Sequence, residues 1–247
     1  MMIKLVGDHE QRSLVILVLF IAYYVEHAGE ASMICITPLG CRSPRFFVKP
    51  SYTVGIVYRP ESASNRSIFS TMRLACLQFA PQVGDTDNNI SRADAVLGKV
   101  NPDELNRLDL LVLPELAFTG ISHAPNSVRH LTFAAGYNFR SLQHISPYLE
   151  DDESRISYLW ARKTALNYGC TVVVGYPEKV DAECAASPEH YNSAIIVDSE
   201  GDAVGNCRKS FLHCADETWA RENSEGFFQG ELPRLGNVCL GISTDIK

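Results

Sequence analysis

The sequence is short of positive charge. Its 247 residues include 22 Lys and Arg against 29 Asp and Glu, a formal net charge of −7, and no basic run exceeds two residues. A dedicated nucleic-acid binder carries a basic face, so that class is excluded. Metal-binding spacing is missing as well. The eight cysteines (35, 41, 76, 170, 184, 207, 214 and 239) form no Cys-x-x-Cys pair, and His213-Cys214 is adjacent rather than spaced for a tetrahedral site. Cys76 and Cys170 lie in or beside apolar runs, where a thiol behaves as a small buried hydrophobe. The expectation is mostly free thiols in a reducing compartment, not a disulfide framework.

A comfortable membrane span is also lacking. The apolar run Leu14–Val25 has twelve residues, where a spanning helix needs about 20. It suits a signal-peptide core better, with Gly29-Glu30-Ala31 as a small-residue cleavage site. Its flank is poor for that role, because Asp8 and Glu10 offset Lys4 and Arg12. For a secreted or anchored chain, Asn65-Arg66-Ser67 is the most upstream glycosylation sequon. With 46% hydrophobic and 21% charged residues the composition is that of a globular protein and excludes wholesale disorder.

Residues 32–71 show scattered Pro, Ser and Arg without a period, and residues 1–71 read as an irregular extension. From Met72 the pattern changes. Arg73–Phe79 reads as a buried strand. Asp85-Thr86-Asp87 offers helix caps ahead of Ile90, Ala93, Leu97 and Val100 at helical spacing. Leu110–Leu113 is a fully apolar strand, entered from Asp109 and stopped by Pro114. Asp152–Tyr168 predicts a helix with Ile156, Leu159, Trp160 and Leu166 inward, ended by Gly169. Thr171–Gly175 is the next strand, and Asn192–Val197 with Ala203–Phe211 form a hairpin around Asp198-Ser199-Glu200-Gly201. Asn237–Ile242 is the last strand. Alternating α and β elements with continuous apolar strands predict a layered α/β domain.

Four residues are placed for chemistry. Glu115 follows a buried strand and a Pro, at the carboxyl end where ligands of open α/β folds collect. Lys209 ends a hairpin strand, Glu217 follows it by eight residues, and Ser243 ends the final strand. Each alone reads equally well as a solvated acid, a solvated lysine or an ordinary strand-end hydroxyl.

Taken together, the blocks MRLACLQFAPQVGD, LDLLVLPELAFTG, HYNSAIIV, RKSFL and DETWA resemble the nitrilase superfamily of carbon–nitrogen hydrolases, in the right order from residue 72 onward. Within it they are most like the protein N-terminal amidases, which act on N-terminal Asn and Gln. The resemblance implies an αββα sandwich in which Glu115 is the general base, Lys209 the transition-state lysine, Glu217 an auxiliary glutamate, and position 243 the nucleophile. It implies deamidation to Asp or Glu with release of ammonia, feeding arginylation and ubiquitin-dependent turnover. The implied partner is a peptide or protein N-terminus, with no cofactor, no metal and no nucleic acid. A homodimer and a cytoplasmic location are also implied; the alternative is a secreted or membrane-anchored chain using residues 14–25.

The sequence departs from that pattern in four places. Ser243 stands where the family has a cysteine, and Cys239 lies four residues earlier, about 13 Å along a strand. Residues 121–135 form an insertion between Gly120 and Gly136, in mid-motif. The chain ends four residues after Ser243, where the family's sandwich continues, so the expected fold is a C-terminally truncated αββα domain over 72–247. Met72 falls where the family begins, which makes 1–71 a non-family extension. Two readings follow: an amidohydrolase, or a catalytically dead relative or partial gene product.

Overall fold

The computed structural model describes residues 4–7, 13–19, 33–38, 73–79, 81–120, 139, 141–152, 154–181, 187–213 and 215–245. The expected insertion 121–135 and the second half of the apolar run, 20–25, lie outside the described residues. Three backbone strands come from the first 71 residues: β1 (Lys4–Gly7), β2 (Ser13–Leu19) and β3 (Met33–Pro38). The region expected to be irregular thus supplies strands, and the run Leu14–Leu19 is one of them. Its Val, Ile and Leu residues are strand formers as much as the core of a targeting segment. No helix among the described residues is long and apolar enough to cross a membrane.

The remaining elements are β4 (Arg73–Gln78), α1 (Thr86–Leu97), α2 (Pro102–Leu105), β5 (Leu110–Val112), α3 (Leu142–Ile145), α4 (Ile156–Tyr168), β6 (Thr171–Val180), β7 (Glu189–Val197), β8 (Ala203–Arg208), β9 (Phe228–Leu232) and β10 (Gly236–Ile242). They form a six-stranded sheet, β3-β4-β5-β6-β7-β8, and a four-stranded sheet, β1-β2-β10-β9. Pairing is parallel at β4-β5, β5-β6 and β2-β10 and antiparallel elsewhere.

Why the strands are apolar on both faces is clear from what each face meets. Leu74, Cys76, Val112, Val173, Ala194, Ile196 and Cys207 meet Leu232, Leu235, Val238, Leu240 and Ile242 between the sheets. The alternate residues Ala75, Leu77, Leu111, Val172, Val174, Ile195 and Val197 pack with α1 and α4. A helix layer, a sheet and a second sheet are therefore stacked, three layers of the expected sandwich.

Two local expectations change. α4 buries Ser157, Trp160, Ala161, Thr164 and Ala165, whereas Leu159 and Leu166 are 61% and 52% exposed and Ile156 is 39% exposed. Small residues let the helix approach the sheet closely, so size overrode hydrophobicity in choosing the inward face. Asp85 does precede α1, yet its carboxylate takes Asn88 and Arg92 side chains, with no backbone N–H bound.

Candidate active site

Glu115 is placed by the end of β5. The chain leaves the sheet through Leu113 and Pro114, and Leu116 adopts φ +48°, an unusual value for a residue with a side chain. Gly175 on β6 lies directly beneath. A Cβ there would stand 2.6 Å from the Pro114 carbonyl oxygen and 2.7 Å from Glu115 Cα, so β6 passes this close only as glycine. The Ala117 N–H donates to the Gly175 carbonyl at 3.0 Å and ties the loop to that strand.

Lys209 is placed by the hairpin. Its N–H donates to the Asn192 carbonyl at 2.8 Å, extending the β7–β8 pairing one residue past β8. Lys209 Nζ donates to Glu115 Oε1 at 2.7 Å and to Asp216 Oδ2 at 2.6 Å. Asn192 Nδ2 donates to the same Glu115 oxygen at 2.6 Å and to Asp216 Oδ1 at 3.4 Å. All four side chains are buried, with Asp216 the most exposed at 1%. Asn192 Oδ1 has no hydrogen-bond partner among the described residues.

Burial by itself pulls the Lys209 ammonium toward the neutral amine. The charges of Glu115 and Asp216, with the hydrogen bonds they accept, outweigh it, and the net shift is upward. Lys209 is thus a fixed cation in a dehydrated setting, where its charge acts at high strength.

Ser243 comes from the other sheet. β10 runs to Ile242, and Ser243 opens a short 3₁₀ turn through Asp245 with φ +48°. Such strain costs about 1–3 kcal/mol and clusters at functional positions. Ser243 and Thr244 are half-buried and Asp245 is buried. Two strands bring it toward Lys209: the Cys207 thiol donates to the Leu240 carbonyl at 3.4 Å. Asp245 then accepts the N–H groups of Ser210, Phe211 and Ile242 at 2.9, 2.8 and 2.8 Å. Burial raises the Asp245 carboxyl, opposed by those three N–H groups and by the charge of Lys209.

Residues 73–240 match the family model for carbon–nitrogen hydrolase. The chain belongs to the carbon–nitrogen hydrolase family. It is 29% identical over 177 residues to a protein N-terminal amidase of Saccharomyces cerevisiae, an alignment covering 71% of this chain and 34% of that protein. Among solved structures it resembles an N-terminal amidase with an Asn-Glu-Ala peptide (TM-score 0.51, 29% identity, 64% of this chain and 32% of that one). It also resembles an N-terminal amidase with a Gln-Val peptide (TM-score 0.55, 28% identity, 70% of this chain and 39% of that one). The chain spans between about a third and two fifths of the length of these relatives.

Of the residues singled out in the sequence of this carbon–nitrogen hydrolase, Glu115 and Lys209 are in direct contact. Ser243 reaches the neighbourhood of Lys209 through the Asp245 turn. Glu217 is apart from them: it is exposed and lines a polar pocket of about 620 Å³ with Glu189, Tyr191 and Glu222. The second carboxylate on Lys209, beside Glu115, is that of Asp216, the neighbour of Glu217. Asn192, Asp216 and Asp245 were missed from sequence. A signal for Asp216 exists, since residues three apart share a face of a 3₁₀ turn and Trp219 is buried. Cys239 is buried in β10, out of phase with Leu240 and Ile242 between the sheets, and burial raises its thiol. Cys76, Cys170 and Cys207 are buried as well, and burial pushes the Cys170 and Cys207 thiols up to about 12.

Proposed function

We propose that this site is an amidohydrolase centre of the protein N-terminal amidase type, converting the side-chain carboxamide of an N-terminal Asn or Gln to the carboxylate with release of ammonia. The observation that carries the reading is the buried Lys209 gripped by Glu115 at 2.7 Å, supported by relatives crystallised with Asn- and Gln-initiated peptides. The centre lies in a hydrolase domain of 72–247 interrupted at 121–135, and its cytoplasmic products would enter arginylation-dependent turnover.

The roles follow from chemistry. Glu115 takes the proton of the Ser243 hydroxyl, and Oγ attacks the carboxamide carbon. The carbonyl π pair moves onto oxygen, where the Lys209 ammonium offsets the developing charge. Collapse reforms the carbonyl and breaks the C–N bond, with the proton from Glu115 delivered to the departing nitrogen. Ammonia leaves and an ester remains. Water, deprotonated by Glu115, attacks the ester carbon and releases the acid, restoring Ser243.

Serine sets the rate. A thiol has a pKa near 8.5 and keeps some thiolate at neutral pH, whereas an alcohol is a far weaker acid and a poor match for a carboxylate base. Ser243 therefore favours a second reading: a relative that holds peptide N-termini without turnover. Ammonia release from Asn- and Gln-initiated peptides, with the chain as it stands and with Ser243→Cys, decides. The expected result is release that rises by orders of magnitude with the substitution. Binding without release in either protein selects the second reading, and neither binding nor release defeats both.

A further inference from the structure

The turn that carries Ser243 is not held by its own strand alone. Three hydrogen bonds tie its last two residues to the two residues that follow Lys209. Asp245 Oδ1 accepts the N–H groups of Ser210 and Phe211, and the Thr244 hydroxyl donates to the Phe211 carbonyl. The other Asp245 oxygen folds back onto the Ile242 N–H at 2.8 Å, closing the turn around Ser243. Gly241 makes room for it: a Cβ there would meet Asp245 Cβ at 3.1 Å, so a larger residue would press the carboxylate out of place. Asp245 is 4% exposed and accepts the N–H groups of Ser210 and Phe211, 35 and 34 residues before it, and that of Ile242 beside its own turn.

We propose that Asp245 is a positioning residue that clamps the Ser243 turn onto the backbone of Ser210 and Phe211, and so sets where Ser243 stands relative to Lys209. The inference rests on the reading of Ser243 as the nucleophile position. The two ends it joins belong to different sheets, with Lys209 just past β8 and Ser243 just past β10. Packing between sheets fixes their separation but leaves each terminal loop free to turn. A carboxylate that accepts from both loops removes that freedom. It also explains how a non-glycine residue is kept at φ +48°, since strain of this kind persists only where surrounding bonds over-determine it. An amide cannot replace the carboxylate. Three backbone donors face its two oxygens, and one of those oxygens would become an NH₂ group pointing at an N–H.

The test places a reporter at the clamped position. In the Ser243→Cys protein, the pH profile of iodoacetamide labelling at position 243, read by peptide mass spectrometry, gives the thiol's pKa. Beside Lys209 the midpoint should lie below the ordinary value of about 8.5. Adding Asp245→Asn should raise it by about one unit, roughly tenfold less thiolate at neutral pH. The sign is decisive. A carboxylate acting only through its charge holds a nearby thiol up, so its removal would lower the midpoint. Thr244→Val, which deletes only the hydroxyl link, should shift the midpoint the same way by less, and serves if Asp245→Asn does not fold. Asp198→Asn, at the buried carboxylate that caps the β7–β8 turn, should leave it unchanged.

A depressed midpoint that Asp245→Asn and Thr244→Val leave in place, or that Asp198→Asn moves equally, overturns the clamp while the nucleophile reading stands. A midpoint near the ordinary value in Ser243→Cys itself overturns both.

Discussion

The two faces of the β7–β8 hairpin carry two clusters of the same ingredients, a carboxylate, a cation and an amide. Strand alternation separates them, since Asn192 and Ser193 are neighbours, as are Arg208 and Lys209. On the helix-facing side Glu178 accepts from Ser193 at 2.6 Å, from Asn206 at 3.1 Å, and from Arg208 Nε and Nη2 at 2.8 Å each. Every lone-pair direction of that carboxylate is used, and the Arg208 guanidinium also lies 4.2 Å over the Tyr191 ring. On the other side Lys209 serves two carboxylates, and Asn192 Oδ1 is unsatisfied among the described residues. A planar fork that matches one carboxylate makes a structural joint. A point charge shared between two acids, fully dehydrated and beside strained backbone, makes a site able to respond to a developing charge.

Removing the cation on each face should therefore give unequal losses. Lys209→Met leaves Glu115 and Asp216 together without a counter-charge, and breaking a buried pair of this kind costs about 3–5 kcal/mol. Arg208→Met leaves Glu178 two donors and access to water, for about 1–2 kcal/mol. Urea unfolding of both proteins measures the difference. A larger loss for Arg208→Met would mean that the hairpin is held from its helix side, and the contrast drawn here would collapse.

Glu150 sharpens the comparison because it is a buried carboxylate with no ion pair among the described residues. Its backbone flanks Glu178, donating to the Pro177 carbonyl and accepting from the Lys179 N–H, both at 2.8 Å. Among the described residues its side chain accepts only from Ser157, from the N–H at 2.8 Å and the hydroxyl at 2.6 Å. Burial, the dominant cause, raises it from 4.5 to about 7, and the Ser157 bonds only moderate that rise. Between those values the folded protein keeps a proton that the unfolded chain has lost. Stability from this group is thus complete below about pH 4.5 and falls as pH rises to about 7, by roughly 3 kcal/mol in all. Glu150→Gln should flatten that part of the profile. Urea midpoints at pH 5 and pH 7.5, compared between the two proteins, isolate it; equal slopes would show that Glu150 is ionised in the fold.

Much of the frame was legible in the sequence for a physical reason. β4, β5, β6 and β7 lie between two apolar layers, so they read as unbroken apolar runs with a polar residue or proline at their ends. β9 was not legible, because Phe228–Leu232 is mostly polar or glycine and becomes a strand only by pairing with β10. The α4 face misled because the side that meets the sheet is, apart from Trp160, made of small residues. Glu115 and Lys209 lie at strand ends, where each alone reads as a solvated side chain; the order of the blocks around them singled them out. Asn192 lies within a strand whose apolar context hides it, and its function-bearing contact is with Glu115, 77 residues away. No local pattern encodes a contact of that span.

Asp216 and Glu217 give the finest version of the comparison, because they are adjacent carboxylates that the 3₁₀ turn sends in different directions, one buried and one exposed. Asp216→Asn withdraws one of the two charges that hold Lys209 and sets an amide against its ammonium. Loss of ammonia release in the Ser243→Cys background should be tenfold or more on general grounds for a displaced reacting group. Glu217→Gln changes an exposed side chain, so stability should move by no more than about 0.5 kcal/mol, and any effect should be confined to peptide KM through the polar pocket it lines. Steady-state kinetics on one Asn-initiated peptide separate the two. Should Glu217→Gln lower kcat as much as Asp216→Asn, the auxiliary carboxylate reaches the substrate from the pocket side, and Asp216 is then a strut for Lys209 rather than part of the reacting set.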